Sequence, residues 1–133
     1  MHISLSQRSH VTPKNLDKME KSLKDSDTIV LLHANWCFHC QQFMPTWKKT
    51  KNNFKKANVN TIAIESDALD EVQKNNMIAK KLHNKEGMYF PMIIFFFSTG
   101  ERTVKKIYQG DRTPEDLNKF MTKYKNKYIK KQK

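Results

Sequence analysis

Apolar positions along this chain change period several times, and each change marks an element. Thr12-Pro13 pairs an N-cap residue with proline at a first helical position. Leu16, Met19 and Leu23 then recur at helical spacing, which predicts an amphipathic helix over 13–24, ended by Asp25-Ser26-Asp27. Thr28 to His33 is apolar and rich in leucine and β-branched residues, with no polar alternation, so it reads as a strand covered on both faces. Beyond residue 40 the pattern returns to helix as far as about Ala57. Phe43, Trp47 and Phe54 form one stripe there, and Pro45 predicts a kink. Residues 58–65 predict the next strand. Residues 68–82 predict a helix with Leu69, Val72, Ile78, Leu82 and Met77 inward, and 83–87 a polar loop. Met92 to Phe97 is the longest strand, Ser98 to Glu101 a hairpin turn and Arg102 to Tyr108 the return. After the loop Gln109-Gly110-Asp111, Thr113-Pro114 repeats the N-cap signal, and Leu117, Phe120, Met121 and Tyr124 mark a last helix. The order implies a mixed sheet sandwiched between helices.

A chain of 133 residues holds one core, and 38% hydrophobic against 29% charged residues makes that core compact. The expected layout is an arm or edge strand over 1–10, one domain over 11–128 and a basic tail over 129–133. Met88 to Phe97, the longest apolar run, is too short to cross a bilayer as a helix. Met1 to Arg8 has no apolar secretory core. The ending Lys130-Lys131-Gln132-Lys133 is no ER-retrieval signal. Both point to a cytoplasmic protein.

The net charge of +12 is unevenly placed. Five lysines within Lys48–Lys56 and seven within Lys119–Lys133, with no acid in either stretch, carry the whole excess. Such stretches ordinarily form a solvated face and a frayed end. They can also draw a protein to nucleic acid, an anionic membrane or an acidic partner. Lysine- and asparagine-rich usage fits an AT-rich genome, and a large cytoplasmic DNA virus, with a place in the virion, is one source consistent with it.

The chemistry lies in Trp36-Cys37-Phe38-His39-Cys40, which holds the only two cysteines. A Cys-x-x-Cys pair where a strand meets a helix suits dithiol exchange. The helix start offers unpaired N–H groups and partial positive charge, which favour the attacking thiolate. With both cysteines in one motif, no pair remains for a structural disulfide, as in a reducing compartment. Structural zinc requires four ligands, and His83 is the only histidine after Cys40, so no metal site is expected. No cofactor is implied.

These features resemble the thioredoxin superfamily over residues 10–128, and most closely the redox-active domain of protein disulfide isomerases. Four features in order carry the resemblance: Trp36-Cys37-x-x-Cys40 after a buried strand, Pro45 inside the following helix, Pro91 opening an apolar strand, and Tyr108-x-Gly110-x-Arg112-Thr113. The resemblance implies an α/β thioredoxin fold, a mixed sheet of four or five strands between helical layers. It implies that Cys37 is the exposed nucleophile, Cys40 the buried resolving thiol, and His39 a histidine beside the thiolate, as in isomerases. It implies a cis Pro91 and an Arg112 that swings toward Cys40. Trp36, Phe38, Phe90 and Pro91 would contact substrate. Protein thiols and disulfides would be the substrates, with a sulfhydryl oxidase or a reductase as electron partner.

Three positions depart from the family pattern. Leu31 replaces a buried acid that assists proton transfer from the second cysteine. Phe38 replaces glycine and narrows substrate access. The segment between Glu65 and Pro91 is longer than the family's. The expected activity is thiol–disulfide exchange, oxidase- or isomerase-like rather than strongly reducing. The alternative is a binding module of the same fold that docks through its basic helix and tail.

Overall fold

The central strand is β2, Thr28–His33. The computed structural model describes the backbone through Gln132 and the side chains through Tyr128. Two parallel strands flank β2 on one side, β3 (Asn60–Glu65) and beyond it β1 (His2–Leu5). On the other side β4 (Met92–Ser98) runs antiparallel to β2, and β5 (Thr103–Tyr108) runs antiparallel to β4. The result is a mixed sheet, as the pattern predicted, with five strands in the order β1-β3-β2-β4-β5.

Alternate residues of β2 serve two cores, and this explains the absence of polar alternation. Val30 and Leu32 face one layer with Met19 and Leu23 of α1 (Pro13–Asp25). Two short helices complete that layer, α3 (Ser66–Val72) and α4 (Asn76–Leu82). Ile29 and Leu31 face the other layer. It is formed by α2 (Phe38–Lys56), through Phe43, Trp47 and Phe54, and by α5 (Pro114–Gln132), through Leu117, Met121 and Tyr128. Phe120 of α5 packs 4.8 Å from Phe95 and 5.1 Å from Tyr108, centroid to centroid. Aromatic pairs at such distances add about 0.5–1.5 kcal/mol each beyond the area they bury.

Local signals mark most boundaries. The Thr12 hydroxyl accepts the Asn15 N–H at 3.2 Å, and the Thr113 hydroxyl accepts the Asp116 N–H at 3.1 Å. Three expectations need correction. Met77, expected to face inward, is 61% exposed, on the outer side of its helix from buried Ile78 and Leu82. The helix predicted over 68–82 is two helices, because Asn75 caps α4 by accepting the Ile78 N–H at 3.1 Å. The strand predicted from 58 starts at Asn60, because Asn58 takes φ 60° and turns the chain after α2. α5 continues through most of the stretch read as a tail; the side chains of 129–133 lie outside those described. No described helix is long and apolar enough to cross a membrane.

Candidate active site

Beyond β2 the chain turns sharply. Ala34 is buried, and its carbonyl accepts the Cys37 N–H at 3.1 Å. Cys37 then stands at the N-cap of α2 with extended backbone. Its sulfur accepts the Cys40 N–H at 3.2 Å, so one unpaired donor of the helix start is aimed at the sulfur. The Cys37 thiol in turn donates to the Phe90 carbonyl at 3.6 Å. Both cysteines are free thiols and both are buried: Cys37, expected to be exposed, is 8% exposed against 2% for Cys40, because Ala34 and Phe90 pack against it.

Burial is the largest influence on Cys40 and pushes its thiol up, and the hydrogen bond to Cys37 adds to it. A backbone hydrogen bond at Ala34 and, more weakly, the Arg112 charge pull down, leaving the thiol at about 11. In neutral water Cys40 therefore holds its proton, the state expected of a resolving thiol before attack.

The expected substrate-facing residues gather around this pair. Trp36 is 74% exposed and meets Phe90 edge-on, with centroids 5.8 Å apart. Phe38 is exposed in the first turn of α2 beside exposed His39, their rings 6.0 Å apart. Phe90 packs against Ala34, Cys37 and Cys40. The Phe90–Pro91 peptide is cis, and Pro91 is buried.

Arg112 is exposed on the loop after β5. That loop and Tyr89, Pro91 and Tyr108 line an open groove of about 450 Å³. Tyr108 donates to the Asp111 carbonyl and crosses close over Gly110, where a Cβ would lie 2.7 Å from its hydroxyl oxygen. Only glycine fits there without moving the tyrosine.

Leu31 is fully buried, in the core between β2 and α2. The buried carboxylate of the region is Glu65, at the end of β3, which the pattern had placed in a strand without a role. Glu65 is paired in register with His33. One oxygen accepts the Asn35 N–H at 3.1 Å and the Ser66 hydroxyl at 2.8 Å; the other accepts the Asp67 N–H at 2.7 Å. Burial pushes Glu65 up, but these hydrogen bonds and the nearby His33 outweigh it and hold the carboxyl below its ordinary value. Burial likewise lowers His33, against the pull of Glu65. Asn35 is pinned a second time, since its carbonyl accepts the Gln41 side chain at 2.9 Å. The turn that aims Cys37 is thus tied to both β3 and α2. An acid closing an apolar strand just before a helix was the available sign. Among the described residues, no three His, Cys, Asp or Glu side chains converge to hold a metal ion.

The thioredoxin family model, described as "Thioredoxin", matches residues 8–123. This chain belongs to the thioredoxin family. Among curated relatives, human protein disulfide-isomerase A6 is 34% identical over 111 residues, covering 80% of this chain and 21% of that protein. Rabbit protein disulfide-isomerase is 32% identical over 108 residues, covering 81% and 19%. These isomerases are much longer: the chain spans about a fifth of each. Among solved structures, a thioredoxin-family fold recurs in ERdj5 form II. Its TM-score is 0.70 at 14% identity, covering 96% of this chain and 15% of that one. The Trx4 domain of ERdj5 gives a TM-score of 0.62 at 14% identity, covering 92% and 94%. Such likenesses speak to the fold alone. As a thioredoxin-family domain with two apposed free thiols at a helix start, the chain has the groups that thiol–disulfide exchange requires.

Proposed function

We propose that this protein exchanges disulfides with protein cysteines through Cys37-Phe38-His39-Cys40, acting as an oxidase or isomerase more than as a reductase. The observation that carries the reading is the seat of Cys37, whose sulfur lies between the Cys40 N–H and the Phe90 carbonyl. A Cys37 thiolate attacks one sulfur of a substrate disulfide; the other leaves as thiolate, and a mixed disulfide forms. Cys40, once deprotonated, attacks the Cys37 sulfur and releases the first substrate sulfur as thiolate. Run in reverse, the Cys37–Cys40 disulfide accepts a substrate thiolate and passes its bond on. Arg112, the one positive charge that pulls Cys40 down, acts at the release step. Trp36 and Phe38 offer an apolar rest for an extended substrate, Phe38 also narrowing the entrance, and the backbone before Pro91 offers it hydrogen bonds.

His39 beside the dithiol supports the oxidising direction. A protonated imidazole there stabilises the reduced form, and stabilising that form raises the potential. The range available is wide: thioredoxin and protein disulfide isomerase differ by roughly 90 mV, about 4 kcal/mol. A sulfhydryl oxidase would serve an oxidase cycle, and a reductase the opposite one.

Reactivation of scrambled ribonuclease tests the reading. Wild type should restore activity and Cys37→Ser should not; equal reactivation by both rejects it. Equilibration with glutathione should give a potential nearer about −180 mV than about −270 mV. His39→Pro should lower that value.

A further inference from the structure

The two lysine-rich stretches, over sixty residues apart in sequence, lie side by side in the fold. α2 and α5 pack together on one face of the sheet. Lys125 of α5 donates to the carbonyl of Ala57, the cap residue of α2, so the lysine-rich part of α5 meets the basic end of α2. Lys48, Lys55, Lys56, Lys119, Lys123 and Lys127 are all exposed. Among the described residues none of them forms an ion pair. The acids of α5, Glu115 and Asp116, lie in its first turn.

The band also has a recess. Where α2 meets the sheet edge at β1, a cavity of about 320 Å³ is lined by Lys51, Asn52, Lys55, His2 and Thr61 together with apolar Met1 and Val59, with no carboxylate in its wall. Asn53, Asn118 and Asn126 are exposed among the lysines. Lysine with neutral amides is a set suited to phosphate oxygens.

The same surface suits other anions less well. Among the described residues, exposed large apolar side chains occur at Met1, Trp36, Phe38, Met77, Met88 and Tyr89; Met1 edges the recess, and none lies on the lysine-bearing part of α2 or the described part of α5. A helix that settles into a membrane interface carries such side chains on one face. Protein interfaces are anchored by aromatics and arginine and are depleted in lysine. A polyanion with charges repeating along its outside requires only a dispersed positive field.

We propose that the α2–α5 layer binds the phosphate backbone of nucleic acid without regard to sequence. The lysines of α2, from Lys48 to Lys56, occupy the half of that helix away from Cys37, so a strand bound there leaves the dithiol open. The protein would then carry out its exchange chemistry on nucleic-acid-bound proteins.

Fluorescence anisotropy of a labelled DNA duplex of arbitrary sequence, titrated with the full chain, tests this. Neutralising about five phosphates lowers affinity several-hundred-fold between about 50 and 200 mM salt. The combined Lys48→Gln, Lys51→Gln, Lys55→Gln variant should bind at least about tenfold more weakly and lose roughly three from the salt slope. A control with Lys18→Gln, Lys21→Gln and Lys80→Gln removes the same charge from the opposite layer. It should stay within about twofold of wild type. Ribonuclease reactivation should be unchanged in both variants. Binding that ignores salt, equal loss in the control, or preference for phosphatidylserine vesicles over the duplex overturns the proposal.

Discussion

Glu65 accepts the backbone N–H of Asn35 across 30 positions of sequence, at 3.1 Å. Asn35 lies two residues before the nucleophile, so the end of β3 holds the turn that aims Cys37. A buried carboxylate with three donors holds such a turn better than water could, because the donors would otherwise be left unsatisfied.

Glu65→Ala should therefore cost about 1–3 kcal/mol of stability, read from urea unfolding, and slow disulfide exchange. Since Glu65 sits below its ordinary value in the folded state, its contribution is present above the unfolded value. It is lost as pH falls through the lower, folded value. Wild type should lose stability in that acidic window, and Glu65→Gln should flatten that part of the curve. An unchanged acid limb in Glu65→Gln would show that the carboxylate does not hold the turn.

Cys40 is held at about 11, with Arg112 the weakest of the influences on it and one that pulls it down. The folded thiol titrates above its ordinary value, so resolution of the mixed disulfide should quicken as pH rises from neutral. Arg112→Gln should move that profile upward by less than about one pH unit, since an exposed charge is screened. Trapping the mixed disulfide against pH measures it. A profile that stays in place would remove Arg112 from the release step.

Asn75 holds two elements together. Its carbonyl oxygen caps α4 and its amide donates to Glu20 of α1 at 3.0 Å. Asn75→Ala should lower stability by about 1–2 kcal/mol, seen as a fall in Tm. Exchange activity should hold, because neither partner belongs to the dithiol site. A loss of activity at full stability would link the long segment before Pro91 to substrate.

Period and residue type located the four strands after residue 27, the long helices and the dithiol, and left 1–10, where β1 lies, as an arm or edge strand. Continuous apolar runs such as Ile29–Leu32 and Met92–Phe97 have few solutions other than strands buried on both faces. The break at Asn75 escaped that reading, because Leu69, Val72, Ile78 and Leu82 stay inward in both halves and the apolar stripe passes through the cap. Spacing also gave Glu65 no role, since its tie to Asn35 depends on strand register and on what stands across the sheet.

The sequence by itself determined the order of elements, the paired thiols and the excess of positive charge, because those follow from local periodicity and residue type. Tertiary structure decided three things no linear pattern contains. It brought the Glu65 carboxylate to the turn before Cys37, set Arg112 within electrostatic reach of Cys40, and joined two distant lysine stretches into one surface. Each depends on strand register and helix packing, which bring residues about 30 to 70 positions apart within a few ångströms or within the range of a charge.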